Sequence, residues 1–350
     1  MLLSNLDRQV LTALKDSALG RLEPGPRIAV LGNCQSFDLA YAMKLLIPSA
    51  AVHQFQVQGK ARIGGKMLVR ALRAYDHVFL QDFGQGLIPG TTSEWLCSEL
   101  ANVTRYPSVL FGAYHPDSIF ILGKRGDVLS GPIGQHHSAL ALFAYRAGLP
   151  AEAALLLYTR EVYDTLGYFK LWEPASAQFF EHARSYGLQL EADCVRWTRL
   201  GCFMYAVNHP KPVVFFDVAR HLLAKVGISS QPVDFEHYAL NELARDTVFP
   251  VYPEIAEHFG LAGSYLFKAP KHSPGGLSLG NFFDLQGFIN ASFRTYARHA
   301  PGELANERVK GWLDDRDLSR FLIEFCSREN TPVKPKRSEK PVPELRPIVA

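Results

Sequence analysis

The sequence predicts an α/β protein, a mostly parallel, doubly wound sheet joined to a large helical C-terminal half. Three observations carry this. Short apolar runs alternate with helical patterns through the first third of the chain, the texture of βαβ units. Beyond Gly131 the apolar residues recur at three- and four-residue intervals, as on amphipathic helices. A chain of 350 residues, 47% hydrophobic and 20% charged, supplies a sizeable core and excludes a disordered, collagen-like or disulfide-stapled protein.

The elements follow in order. Residues 27–31 form a short apolar run between the breaker Pro24-Gly25-Pro26 and a polar turn, which reads as a buried parallel strand. Over residues 38–47, Leu39, Ala42, Met43, Leu46 and Ile47 fall at helical spacing until Pro48 ends the pattern. Residues 51–57 alternate as a second strand and 67–74 repeat as a second helix, while 77–80 and 108–111 read as a third and a fourth strand. Helical periodicity then covers 138–147, 150–165, 175–186, 213–226, 234–243, 279–296 and 303–325. The reading divides the chain into a sheet domain over 1–130, a helical region over 131–328 that completes the cleft, and a basic, proline-rich tail over 329–350 that cannot bury enough to fold alone. Ligands of such sheets bind at the carboxyl ends of the strands, so the loops after Leu31, Leu80 and Phe111 are where chemistry belongs.

Charge and cysteine content narrow the function. Lys and Arg number 37 against 34 Asp and Glu, a net of +3, and the tail carries that excess through Lys334, Lys336, Arg337, Lys340 and Arg346 against Glu339 and Glu344. The body is neutral and advertises no nucleic-acid or membrane partner. Asp7 and Arg8 interrupt the apolar stretch at the start, which lacks the build of a secretory signal, and no apolar run reaches the ~18 residues of a spanning helix. Five scattered cysteines without paired spacing suit reduced thiols. These features point to the cytoplasm. No metal site is expected, because His136 and His137 are adjacent and no His-x-x-x-His or Cys-x-x-Cys supports them.

The sharpest local signal is Gly32-Asn33-Cys34-Gln35-Ser36, between the first strand and the first helix. Gly32 permits a tight turn and Asn33 tolerates a left-handed conformation, so the turn can present Cys34 at the end of the sheet. A thiol over a helix N-terminus is favoured as thiolate and lies beside N–H groups able to receive an oxyanion, the arrangement of a nucleophile elbow with sulfur for oxygen. The plain alternative is a small core thiol. Of twelve histidines, His115, His136, His137 and His209 stand in turn-like contexts, and the prolines after His115 and His209 hold those two extended at element boundaries. Phosphate-binding signals are weak: Gly59 to Lys66, Gly84-Gln85-Gly86, Gly123-Lys124-Arg125-Gly126, and Lys268 with Lys271 are basic or glycine-rich turns.

With Val30-Leu-Gly-Asn-Cys-Gln-Ser36, Gly112-Ala-Tyr-His-Pro-Asp117, His137-Ser138 and Asn208-His-Pro210 in that order, the chain resembles the WcbI-type family of capsular-polysaccharide acetyltransferases over roughly residues 27–296. The resemblance implies a cytoplasmic enzyme that binds coenzyme A and moves an acetyl group onto a sugar hydroxyl of a capsule precursor. It also implies a sheet of SGNH or flavodoxin type, with Cys34 at the nucleophile position and His209 at the late-histidine position. Ala206 stands three residues before His209, where SGNH enzymes place an orienting aspartate, so Asp82, Asp117 and Asp217 are the carboxylates to consider instead.

The combined reading assigns catalysis to Cys34 with His209 or His115, and contacts with acetyl-CoA to Asn33, Gln35, Ser36, Lys124, Arg125, His136 and His137. Two rivals use the same residues. One is a cysteine-dependent ester or thioester hydrolase with water as acceptor, and the other is a glycan- or nucleotide-binding module in which Cys34 only lines the pocket.

Overall fold

The computed structural model describes residues 4–20, 25–57, 59–123, 127–270 and 281–327. The proposed tail therefore lies outside the described residues, as do Lys124, Arg125 and Lys271.

Helix α1 (Asn5–Ala18) precedes a βα series: β1 (Arg27–Gly32), α2 (Ser36–Leu46), β2 (Ala51–Gln56), α3 (Gly65–Leu72), β3 (His77–Gln81), α4 (Ser93–Glu99) and β4 (Val103–Tyr106). The four strands pair in parallel in the order β2-β1-β3-β4. The winding reverses between β1 and β3, so the turn after β1 opens at the switch point of the sheet. Alternate residues of β1 bury on opposite faces. Ile28 and Val30 join a core with Leu39, Met43, Val214 and Leu222, while Ala29 and Leu31 join Phe55, Leu68 and Leu72. A sheet covered on both faces explains the unbroken apolar run of β1, and each fully buried aliphatic side chain contributes about 1.5–3 kcal/mol.

Short elements follow: β5 (Ser118–Ile119) pairs antiparallel with β6 (His137–Ser138), and β7 (Met204–Ala206) with β8 (His209–Pro210). Around them pack α5 (Ala139–Arg146), α6 (Ala151–Ala154), α7 (Arg160–Thr165), α8 (Trp172–Ser185), α9 (Glu191–Arg199), α10 (Pro212–Lys225), α11 (Glu242–Arg245) and α12 (Pro253–His258). The antiparallel pair β9 (Phe267–Lys268) and β10 (Phe282–Phe283) is followed by α13 (Leu285–Tyr296), α14 (Glu307–Asp314) and α15 (Arg316–Cys326). No helix among the described residues is long and apolar enough to cross a membrane.

Several expected elements are corrected. The fourth strand is not 108–111 but Val103–Tyr106, in register with Val78–Gln81; Pro107 has no N–H to extend the ladder, and the segment beyond it turns to dock on the Cys34 loop. The helix expected over 234–243 is a 3₁₀ turn at Phe235–His237 followed by the single turn of α11. Thr159 caps a new helix inside 150–165, and Asp315 ends α14 while capping α15 inside 303–325. Asp284 caps α13, so helix begins there only at Leu285. Helices α1, α4, α9 and α12 have no counterpart in the sequence periodicity described above.

Gly32 is required by space. Its φ is not in the left-handed region, but a Cβ there would meet the Tyr106 hydroxyl and lie 2.8 Å from Gln81 Oε1. Gly32→Ala is expected to cost about 1–3 kcal/mol, read as a lower denaturant midpoint at unchanged m-value. A midpoint equal to wild type would show that Tyr106 and Gln81 move away freely.

Candidate active site

The turn after β1 is built by side chains that close on it from neighbouring loops. Asn33 N–H donates to Gln81 Oε1 (2.9 Å), and Asn33 Oδ1 accepts from the Gln35 N–H (2.9 Å). Ser36 Oγ donates to Asn33 O (2.7 Å) and accepts from Gln54 Nε2 (3.0 Å). The amide of Gln35, 1% exposed, donates to Val109 O (2.9 Å) and Asn208 O (2.8 Å) and accepts from Val109 N–H (3.0 Å). Gln35 thus ties the Cys34 turn to the segment after β4 and to the residue before His209. No non-glycine residue among those described has a positive φ, so the turn forms without a left-handed Asn33.

Burial raises the Cys34 thiol to about 11, helped by the nearby carboxylate of Asp246; the N–H groups of Cys34 and Gln35 oppose this only in part. Burial thus opposes the thiolate that the helix N-terminus favours.

His209 stands on β8, nearly buried, with Nδ1 3.2 Å from Thr247 O. A carbonyl only accepts, so Nδ1 carries the proton and Nε2 keeps its lone pair. Burial lowers the His209 pKa, while Thr247 O and the Asp246 carboxylate favour the charged form. His136 packs on His209 with ring centroids 5.5 Å apart and meets Ser118 Oγ through Nδ1 at 3.2 Å; burial pulls its pKa to about 3, with His209 and His115 adding to the effect. His115 is buried with neither ring nitrogen hydrogen-bonded, and burial lowers it to about 4. His137 points the other way, as neighbours on a strand do. Its Nε2 lies 3.1 Å from Leu129 O and its Nδ1 3.3 Å from the Tyr296 hydroxyl.

Among the described residues two cavities border this cluster, and another adjoins the first of them. Cys34, Phe37, Gln54, Gln56, Glu242, Arg245 and Asp246 help line one of about 380 Å³. A second, of about 590 Å³, shares Phe37 and Gln54 with it and runs along β2 between α1 and α2. A third, of about 800 Å³, includes His115, Ser118, Phe120 and Arg308. His115 therefore faces a different cavity from the thiol. The Asp246 carboxylate acts electrostatically on both Cys34 and His209, and His136 packs against His209.

The three carboxylates considered from the sequence are engaged elsewhere: Asp82 with Arg105 and Tyr186, Asp117 with Tyr168 and Tyr252, Asp217 with Arg196 and Trp197. Asp246 escapes sequence reasoning, since nothing in its local pattern marks it and only the path of α11 past β8 brings it in. The basic turn before α3 is closed from inside, with the N–H groups of Arg62 and Ile63 donating to Asp7 Oδ1 at 2.9 and 3.0 Å. Among the described residues no group of three or more His, Cys, Asp or Glu side chains is placed to hold a metal ion.

The model of the protein family described as polysaccharide biosynthesis enzyme WcbI matches residues 27–231. No curated protein matches the chain. The fold is similar to that of a solved structure described as WcbI, a novel polysaccharide biosynthesis enzyme, in its native form without a disulfide bond between coenzyme A and one of its cysteines. The two chains are 14% identical with a TM-score of 0.55, over 86% of this chain and 99% of that one.

Proposed function

The chain belongs to the WcbI family of polysaccharide biosynthesis enzymes, and on that premise we propose that it transfers an acetyl group from coenzyme A to a sugar hydroxyl of a capsule precursor in the cytoplasm. The observation that carries the reading is Cys34 on the wall of a cavity with Asp246, a carboxylate whose charge also acts on His209. The solved relative is described by the absence of a disulfide between coenzyme A and one of its cysteines, which supports a thioester donor on that wall.

The chemistry follows from protonation states. Cys34 is a thiol of high pKa, a poor nucleophile, so transfer proceeds directly between the two substrates. His209 Nε2 takes the proton of the acceptor hydroxyl while that oxygen bonds to the acetyl carbon. The Cys34 N–H polarises the thioester carbonyl. The carbon–sulfur bond then breaks, and the leaving thiolate takes the proton from His209. The Asp246 carboxylate stabilises the imidazolium formed between these steps.

Two measurements test this. Saturating coenzyme A, at about 100 times its dissociation constant, stabilises the protein by about 2.7 kcal/mol and raises its unfolding midpoint by several degrees; no rise removes the donor. Rapid-quench mass spectrometry after mixing with acetyl-CoA is expected to show no acetyl adduct on Cys34, and a stoichiometric adduct would replace direct transfer by a covalent route.

A further inference from the structure

Ala206 stands where SGNH enzymes place an orienting aspartate, and His209 Nδ1 meets a backbone carbonyl, Thr247 O, at 3.2 Å instead. Resting on the reading of His209 as general base, we propose that Thr247 is the positioning residue of this site, its buried hydroxyl anchoring the carbonyl that keeps the His209 proton on Nδ1.

The anchor spans the chain. Thr247 is buried, and its Oγ1 donates to Ile133 O at 2.6 Å, across 114 positions. Ile133 belongs to a turn closed by the Gly131 N–H on Gly134 O (2.6 Å). Gly134 has a φ of +81° there, and a Cβ on it would come 3.0 Å from Thr247 Oγ1, so glycine is what lets this turn approach the hydroxyl. On the far side of Thr247 the backbone is already pinned: Val248 and Lys268 exchange N–H···O bonds of 3.1 and 3.0 Å, and Phe249 N–H donates to Tyr205 O (2.8 Å). On the near side α11 ends at Arg245, and the Thr247 hydroxyl supplies the tie.

The tie matters because a histidine side chain in water favours the proton on Nε2, the tautomer that leaves no lone pair there for an acceptor hydroxyl. Which nitrogen carries the proton is set by the bond the other makes, and a carbonyl held against Nδ1 reverses the preference. The same residue also places charge. Its N–H donates to Asp246 Oδ1 at 2.9 Å, which fixes the carboxylate that favours the charged form of His209. Thr247 lies beyond residues 27–231 that the family model matches, so the group that orients His209 comes from the part of the chain outside that match.

The test reads tautomer and rate separately. In protein labelled with ¹⁵N-histidine, His209 being assigned by its loss in His209→Gln, the wild type at neutral pH is expected to show the unprotonated nitrogen at Nε2. Thr247→Val keeps the shape and removes the donor. It is expected to populate the Nε2–H form of His209 and to lower kcat for acetyl transfer about tenfold with KM unchanged. Thr247→Ser restores the hydroxyl and is expected to return tautomer and kcat to near wild type. A wild-type proton on Nε2, a valine variant with unaltered tautomer and rate, or a serine variant as impaired as valine overturns the proposal. Tautomers that respond as expected in a protein that transfers no acetyl group remove the transfer reading and leave the positioning of His209 in place.

Discussion

His209→Gln is expected to lower kcat/KM for acetyl transfer by about 10²–10⁴-fold, the contribution of a positioned general base. Glutamine keeps an amide donor for Thr247 O, whose bond to Nδ1 holds the ring in place, but has no basic nitrogen. The unfolding midpoint should therefore stay within a few degrees of wild type. A rate within a few-fold of wild type would remove His209 from the chemistry. Because the active form of His209 is unprotonated and burial lowers its pKa, the wild-type rate should be flat around neutrality and fall only as pH drops below the ordinary histidine range. Cys34→Ala is expected to lose less than His209→Gln, since direct transfer needs no bond to sulfur. Equal losses would indicate an acetylated Cys34.

Asp117→Ala is expected to cost about 3–5 kcal/mol of stability, the range for breaking a buried charged network. Asp117 is fully buried and accepts from Leu140 N–H (2.9 Å), Tyr168 (3.1 Å) and Tyr252 (2.7 Å), so alanine orphans an amide and two hydroxyls in the core. Its pH dependence has a definite sign. Burial raises the Asp117 pKa to about 6 from 3.8, so the folded state binds the proton more tightly than the unfolded state. The stability this supplies is fully present below the unfolded value and is lost as pH rises through about 6. Denaturant titrations of wild type and Asp117→Asn should therefore diverge on acidification, with wild type gaining about 2.5 kcal/mol relative to the variant between pH 7 and pH 3.8. A constant difference would mean that the carboxyl titrates normally.

Much of the sheet is legible in the chain because buried parallel strands are written locally. The run at Ile28 to Leu31 needs no partner to be recognised, and the polar Gly-Asn-Cys-Gln turn after it marks the switch point. The fourth strand is misplaced by the sequence pattern for an equally local reason. Val103-Thr-Arg-Tyr106 is half polar, Ser108-Val-Leu-Phe111 is apolar, and a reading of apolar runs prefers the second. The weak helices of the C-terminal half, α11 above all, are single turns held by packing, and periodicity has too few residues there to register them.

The βα order, the Cys34 turn and the candidacy of His209 are all written locally, since each rests on neighbours a few residues apart. How these groups behave depends on contacts between distant parts of the chain. Gln35 meets Asn208 across 173 positions, and the charge of Asp246 acts on both Cys34 and His209 from a turn without a signature of its own. Burial, which no local pattern records, raises the pKa of Cys34 and lowers those of His115, His136, His137 and His209. Proton affinity depends on the solvent and charge surrounding a group, and only the folded chain sets those surroundings.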